Sequence, residues 1–323
     1  MKIAINGLGR IGRSIFRVAI QRGVDVVKVN DLMDLKSFVY LMKFDTIRGE
    51  CKFDIEILDN THFKIGDKII EYSQKAHPKE IDFSKADIVL ECTGKFTNSK
   101  DCSFYNKKTI ISAPASDDTK TFVLGVNHNE YMGEEIISNA SCTTNCLAPI
   151  AMILDKHYTI QKGFISTIHS YTMDQKLLDA PNIRDIRRSR AAASNIIPTF
   201  TGAAKAIYKV LPSLKGKLDG RSVRVPVNNV SLLDLVVEVG KKVDIDELKN
   251  LFKEYSNSSL KGILEIDEEY KVSSDINSNP ASSILALDLI QVNENLLKIF
   301  SWYDNEWGYS NRMIDMAEYI YKK

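Results

Sequence analysis

The sequence predicts an α/β chain in two parts, and three observations carry that reading. Apolar runs alternate with amphipathic stretches over the first 140 or so positions. A glycine-rich turn follows the first of those runs directly, and beyond residue 150 the chain becomes strand-heavy. Short apolar runs separated by helical segments read as βαβ units and a parallel sheet. The run KIAIN is a short strand, and RSIFRVAIQRG has helical spacing closed by Gly23, a C-terminal helix signal. VDVVKVND is a second strand, and ADIVLECTG, KKTIISAP and EEIISNA are apolar runs that stop at Gly, Ser or Pro. In the second part FISTIHSY, GRSVRVPV, SLLDLVVEVG and LLKIFSWYD are rich in strand-favouring residues. Between them DAPNIRDIRRSRAAASNIIPTFTG is long and irregular, broken by Pro181, Pro198 and Gly202. The tail SNRMIDMAEYIYKK returns to helical spacing, and no repeat or low-complexity segment is present.

Composition narrows the class. At 323 residues, 44% apolar and 26% charged, the chain has the balance of a globular protein with enough length for two cores. A net charge of +1 implies no global attraction to nucleic acid or acidic membrane. No apolar stretch approaches the ~18 residues of a membrane span, and MKIAINGLGR lacks the layout of a signal peptide. Five scattered cysteines, an odd number, suit reduced thiols in a reducing compartment. A cytoplasmic protein is the expectation.

INGLGRIG places Gly7, Gly9 and Gly12 in G-x-G-x-x-G spacing between a predicted strand and a predicted helix, with Asp31 ending the next strand. That context turns a weak pattern into a Rossmann-type dinucleotide site. The first glycine permits the tight turn, the second lets backbone approach a pyrophosphate, and the third allows close helix–strand packing. The helix N-terminus supplies free N–H groups to the phosphates. Asp31 is placed to accept from ribose hydroxyls, which favours NAD over NADP.

SNASCTTNC puts Cys142 where a strand ends and a helix begins, at a terminus whose N–H groups and dipole stabilise a thiolate. Cys146 lies a turn further in and reads as buried and inert. Neither has a His at metal-ligand spacing, so no metal is expected. His169 ends the strand FISTIH, where an imidazole can reach a cleft, lower a thiol pKa and shuttle protons. On that basis alkylation of Cys142 is expected to stay fast well below the ~8.5 pKa of a free thiol. RDIRRSR concentrates Arg184, Arg187, Arg188 and Arg190 in one loop. It reads either as salt-bridged surface or as a bidentate grip on a small phosphorylated substrate, helped by Thr201 and Gly202. Arg224 stands on an otherwise apolar strand, where a cation should have an anionic partner. A dinucleotide site, an activated thiol with a base, and anion sites together point to oxidation of an aldehyde through a thiol adduct.

At this point the chain resembles phosphorylating glyceraldehyde-3-phosphate dehydrogenase over essentially its whole length, through INGLGRIGR, VND, ECTGKF, IISAPA, SNASCTTNC, HSYT, DIRRSRAAASNIIPT, TGAAKA, GKLDG, RVP and WYDNEWGYS. The resemblance implies a Rossmann domain over 1–141 with 306–323, its C-terminal helix returning to it. It also implies an α+β catalytic domain over 142–305 with a mostly antiparallel sheet. It makes Cys142 the nucleophile and His169 the base, with the thioester cleaved by inorganic phosphate to give 1,3-bisphosphoglycerate. Thr172, Asp174 and Arg224 match the site for the substrate's own phosphate. Ser141, Thr143, Thr201, Gly202 and Arg188 match the inorganic-phosphate site. Asn6, Gly7, Gly9, Arg10, Ile11, Gly12, Asp31, Thr93, Ser112 and Asn305 match cofactor positions, Asn305 facing the nicotinamide amide. The 172–198 segment corresponds to a loop that packs against a neighbouring subunit of a homotetramer. Glyceraldehyde 3-phosphate and phosphate are then the partners, with no membrane and no nucleic acid as primary partner.

One departure bears on the cofactor. Ala180–Pro181 lies half-way between the Leu-Pro of NAD-specific relatives and the Ala-Ser of NADP users, and one extra residue precedes IRRSR. The smaller side chain leaves room for a 2′-phosphate, while the Asp31 carboxylate repels it. NAD with NADP tolerated is the expectation. The rival readings are erythrose-4-phosphate dehydrogenase, against which Thr172 speaks, and a non-catalytic nucleotide- or RNA-binding module with RDIRRSR as its docking patch.

Overall fold

The computed structural model describes residues 1–323 apart from Arg184 and the side chain of Lys205. The chain divides into two compact units: Met1–Phe122, Glu130–Ala140 and Ser310–Lys323 form the first, Val123–Asn129 and Ser141–Tyr309 the second.

The first unit holds strands β1 (Lys2–Asn6), β2 (Asp25–Asn30), β3 (Ile55–Ile57), β4 (His62–Ile65), β5 (Lys68–Ser73), β6 (Ile88–Glu91), β7 (Lys108–Ile111) and β8 (Ile136–Ser138). Among the described residues they form one sheet in the order β3-β4-β5-β2-β1-β6-β7-β8. The β5-to-β8 part is parallel, and β3-β4-β5 form an antiparallel extension. Ile3, Ala4 and Ile5 of β1 are all fully buried, which is why KIAIN reads as a continuous apolar run: both faces of a parallel sheet are covered. Helices α1 (Arg10–Gln21), α2 (Leu35–Lys43) and α3 (Ser99–Cys102) belong to this unit. Helix α1 buries Ile15, Phe16, Val18 and Ala19. Phe16 meets Phe38 of α2 edge-on at 5.8 Å, and Phe38 meets Phe63 of β4 at 5.4 Å. Such aromatic pairs add to simple burial.

The second unit carries α4 (Cys142–Tyr158), β9 (Ile160–Ser170), β10 (Ile197–Phe200), α5 (Ala203–Ala206), β11 (Leu218–Val225), β12 (Ser231–Val239), α6 (Ile245–Asn257), β13 (Leu264–Asp267), β14 (Ser283–Ala286), β15 (Gln291–Asn293) and β16 (Leu296–Tyr303). The sheet order is β10-β11-β9-β12-β16-β14-β13, with β15 on β16. Most pairings are antiparallel; β11 with β9 and β13 with β14 are parallel. Burial alternates residue by residue along β12, the signature of a sheet with one face packed and one open. The last helix, α7 (Trp307–Tyr321), starts in the second unit and runs mostly within the first. No helix among the described residues is long and apolar enough to cross a membrane.

Candidate active site

In the first unit the glycine turn has the backbone that its spacing predicts. Gly7 has φ +92°, and a Cβ there would lie 2.6 Å from the Thr93 amide nitrogen. A Cβ on Gly12 would fall 1.8 Å from the Gly7 carbonyl oxygen, whereas Gly9 has open space around it. Beside this turn lies a cavity of about 300 Å³ lined by Gly7, Gly9, Asp31, Leu32, Lys75 and Thr93, among others. Both Asp31 oxygens accept backbone amides: Leu8 N–H donates to one, and Met33 N–H to the other at 2.9 Å. The carboxylate is therefore fixed at the cavity edge, with lone pairs left for hydroxyl donors. A glycine turn open at Gly9, with N–H donors for phosphate, and a fixed carboxylate acceptor at its rim for ribose hydroxyls are what a dinucleotide needs.

Several other cofactor candidates are held by contacts within the first unit. The Asn6 amide is buried and donates to Glu91 Oε2 and Tyr105 Oη, both at 2.7 Å, while its oxygen accepts from Asn30 at 2.8 Å. Thr93 donates to Glu91 through its amide at 2.8 Å and through its hydroxyl. The Ser112 amide donates to the Glu91 carbonyl at 2.9 Å. Arg10 is ion-paired with Asp45, and Ile11 is part-buried in the first turn of α1. Glu91 is the residue that motif reading passes over. Burial pushes its carboxyl up, against donation from Thr93, Tyr105 and Asn6. A glutamate closing the apolar run DIVLE was the available signal.

In the second unit Cys142 is the first residue of α4. Ser141 caps the helix, its hydroxyl accepting from Thr144 N–H at 3.1 Å. Ala140, one residue earlier in the chain, has φ +55°, a left-handed conformation costing an L-residue roughly 1–2 kcal/mol. Cys142 Sγ lies 3.7 Å from His169 Nε2. The imidazole is 5% exposed, at the C-terminal end of β9, a strand held between β11 and β12. Thr143 is tied to Tyr303 Oη at 2.9 Å, and the His169 and Tyr303 rings meet edge-on at 6.0 Å. Cys146 faces Ser283 and Ser301 inside the core, and burial pushes its thiol up to about 12.

Desolvation at the pair opposes the thiolate that the sequence reading expects. Burial pushes the Cys142 thiol up, outweighing the Arg224 cation and hydrogen bonds from Thr143 and from its own amide. Burial and Arg224 push His169 down to about 3. The physical reason is desolvation: removing water penalises both ions, and here it exceeds the pull of the helix terminus. Desolvation thus works toward the neutral thiol and the neutral ring at this position.

Around them the anion candidates regroup. Arg224 Nη1 lies 2.7 Å from His169 Nδ1 and donates to the Ser170 carbonyl at 2.9 Å. Among the described residues no carboxylate forms an ion pair with Arg224, and its Nε is buried without a partner. Thr172 donates to Asp174, and Asp174 is ion-paired with Arg188, whose Nε donates to Thr199 at 2.9 Å. The structure thus ties Arg188 to the Thr172–Asp174 group, whereas the resemblance lists it with Thr201 and Gly202. Those two lie at the start of α5, where Thr201 Oγ1 accepts from Ala203 N–H at 3.3 Å. Asn305 is buried and its Oδ1 accepts from Ser170 at 2.9 Å and Ser231 at 3.0 Å, which fixes the amide with its nitrogen as the donor end. Ser170 and Ser231 went unnoticed in the sequence because nothing local marks them. Arg184 lies outside the described residues, and no group of three metal-ligating side chains occurs among the described residues.

A part-buried thiol at a helix start, with an imidazole 3.7 Å away and beside it a cation that no carboxylate among the described residues pairs with, is an arrangement for covalent chemistry on an anionic carbonyl compound. Comparison with known proteins agrees. The NAD-binding domain of glyceraldehyde 3-phosphate dehydrogenase matches residues 1–99, and the C-terminal domain of the same enzyme matches residues 141–305. The chain belongs to the glyceraldehyde-3-phosphate dehydrogenase family. Similar relatives are the glyceraldehyde-3-phosphate dehydrogenases of Priestia megaterium (48% identical, 100% of this chain and 99% of the relative), Geobacillus stearothermophilus (45%, 100% and 99%) and Neurospora crassa (46%, 100% and 98%). The family's two domains each contain one of the two clusters described above, the glycine turn in one and the thiol–imidazole pair in the other.

Proposed function

We propose that the chain is a phosphorylating glyceraldehyde-3-phosphate dehydrogenase of glycolysis, converting D-glyceraldehyde 3-phosphate, phosphate and NAD to 1,3-bisphosphoglycerate and NADH. The observation that carries the reading is Cys142 Sγ at 3.7 Å from His169 Nε2, at the start of a helix, in a chain of this family. Cys142 attacks the aldehyde carbon, forming a C–S bond, and the carbonyl oxygen becomes a hydroxyl. His169 Nε2 then takes the hydroxyl proton as the carbonyl reforms as a thioester. When bound, the nicotinamide supplies the hydride acceptor. Inorganic phosphate attacks the thioester carbon, and the C–S bond breaks to return the thiol.

Arg224, a part-buried cation without a carboxylate, is the grip for the substrate's own phosphate, with Thr172 and Asp174 beside it. Ser141, Thr143, Thr201, Gly202 and Arg188 serve the attacking phosphate. The adenosine half of NAD sits on Gly7, Gly9, Gly12 and Asp31, with Arg10, Ile11, Thr93, Ser112 and Asn6 shaping the site and the Asn305 amide meeting the nicotinamide amide. NAD is preferred and NADP tolerated, since the fixed Asp31 carboxylate repels a 2′-phosphate whereas Lys75 lines the same cavity. A homotetramer is supported by Met173, Leu177, Leu178, Ile183 and Ile186, apolar side chains exposed along one loop, a pattern that marks interaction surface. The cytoplasm is the compartment.

Purified protein assayed with glyceraldehyde 3-phosphate, erythrose 4-phosphate, NAD and NADP tests the substrate and cofactor readings. The expected result is phosphate-dependent turnover of glyceraldehyde 3-phosphate with NAD. Preference for erythrose 4-phosphate, or activity without phosphate, overturns the substrate reading. A tenfold or larger kcat/KM advantage for NADP, about 1.4 kcal/mol, overturns the cofactor reading.

A further inference from the structure

Four strands of the first sheet end in a polar residue at the same edge: Asn6 closes β1, Asn30 closes β2, Ser73 closes β5 and Glu91 closes β6. Their side chains form one hydrogen-bonded row in which each donor points toward Glu91. Ser73 Oγ donates to Asn30 Oδ1 at 2.8 Å, Asn30 Nδ2 to Asn6 Oδ1 at 2.8 Å, and Asn6 Nδ2 to Glu91 Oε2 at 2.7 Å. The strands lie in the order β5-β2-β1-β6, so the row crosses the sheet without a gap. This is the carboxyl edge of the parallel strands, where open α/β sheets take their ligands. Asn6 and Asn30 line the cavity of about 300 Å³ beside the glycine turn.

Glu91 is 1% exposed and does not itself line that cavity. Its Oε1 accepts from the Thr93 amide at 2.8 Å and from the Thr93 hydroxyl, while Tyr105 Oη donates to Oε2 at 2.6 Å. Each oxygen thus receives two donors, which fills the four lone pairs of a carboxylate. The two hydroxyl oxygens are occupied as acceptors elsewhere. Thr93 Oγ1 accepts from the amides of Lys95 at 3.0 Å and Phe96 at 3.4 Å, and Tyr105 Oη accepts from Asn6 at 2.7 Å. Their own hydrogens are therefore what they offer Glu91. One buried group sets two walls of the cavity. Through Asn6 it reaches Asn30, which holds both backbone groups of Lys75 at 2.9 and 3.0 Å. Through Thr93 it fixes the 93–96 turn, whose Thr93, Lys95 and Phe96 also face the cavity.

We propose that Glu91 is a positioning residue for the dinucleotide, an acceptor beneath the cavity whose four hydrogen bonds hold Asn6 and the 93–96 turn in the shape the cofactor meets. The proposal rests on the cofactor reading above. Glu91 touches no ligand, and its contribution is made before binding, as preorganisation of the first unit. Glutamine has nearly the same size and shape but cannot take its place. Whichever way its amide turns, the nitrogen brings hydrogens against two donors. These are the Thr93 amide and hydroxyl on one side, or the Asn6 amide and Tyr105 hydroxyl on the other. One wall of the cavity must then shift.

The test is calorimetric titration of the full-length protein with ADP-ribose, the part of NAD without the nicotinamide, together with kcat and KM for NAD. Glu91→Gln should raise the ADP-ribose dissociation constant and the KM for NAD about tenfold, the order of one lost charge-assisted hydrogen bond. Its kcat at saturating NAD should stay within about twofold of wild type. Hydrogen exchange read by mass spectrometry should speed up at residues 93–96 and stay unchanged in β12 of the second unit. Unchanged ADP-ribose affinity in Glu91→Gln overturns the proposal. So does a loss of affinity accompanied by an equal fall in kcat and in the labelling of Cys142 by iodoacetamide, which is the mark of a general structural role. A wild-type protein that binds neither ADP-ribose nor NAD removes the cofactor reading itself. If Glu91→Gln does not fold, Tyr105→Phe decides, since it removes one of the four donors away from the cavity. Both constants should then rise about threefold at unchanged kcat, and unaltered constants overturn the proposal.

Discussion

Replacing Gly9 and Gly12 one at a time with alanine separates the fold's needs from the ligand's. At Gly12 the added methyl carbon falls 1.8 Å from the Gly7 carbonyl oxygen and 2.9 Å from its carbon. Both atoms are backbone, so relief requires moving the turn against helix α1 by more than an ångström. Overpacking of that kind typically costs ~1–3 kcal/mol, and a backbone obstacle belongs at the upper end. At Gly9 the same carbon meets nothing within 4 Å, and the residue already has φ −64°. Alanine there should cost no more than about 0.5–1 kcal/mol, the gap between alanine and glycine at a helix N-cap. Yet Gly9 is where backbone must approach the pyrophosphate, so Gly9→Ala should weaken NAD binding about tenfold or more, ~1.4 kcal/mol. Chemical denaturation measures the first effect and calorimetric titration with NAD the second. The reasoning is refuted if Gly12→Ala is as stable as wild type, or if Gly9→Ala binds NAD with unaltered affinity.

Three other outcomes are expected. His169→Asn should slow turnover by ~10²–10⁴ in stopped-flow measurements while leaving NAD affinity unchanged; an equal loss of affinity would make His169 structural. Iodoacetamide should label Cys142 ahead of Cys92, Cys102 and Cys146, which are buried with their thiols pushed up; peptide mapping showing any of those three reacting first counts against the nucleophile. His169 is held neutral with its pKa lowered from 6.5 to about 3. Its stabilising contribution is therefore full above 6.5 and lost as pH falls toward 3, by up to about 1.4 kcal/mol per pH unit. Acid unfolding of His169→Asn should show a shallower slope in that window, and a parallel slope would contradict the neutral assignment.

Much of this was legible locally. KIAIN, INGLGRIG and the helix starting at Cys142 are short-range patterns, and the structure keeps them within a residue or two. What escaped depends on partners distant in the chain. Nothing near His169 announces Arg224, because 55 residues and a parallel crossover separate them. The antiparallel β3-β4-β5 extension is built of strands three to six residues long, too short for their apolar positions to stand out from the surrounding sequence. The Asp174–Arg188 pair crosses the irregular loop, where spacing has no periodicity to read. The desolvation of the thiol is hidden for another reason: a helix terminus can be inferred from sequence, but the amount of water removed from a sulfur cannot.

Strand β9 also constrains how the family can vary in length. It is paired along almost its whole span on both sides, in parallel with β11 and antiparallel with β12. A single inserted or deleted residue between 160 and 168 would turn the imidazole to the opposite face of the sheet, and two ladders would resist any compensating slip. Natural indels should therefore collect in the loops at either end and leave this stretch at constant length.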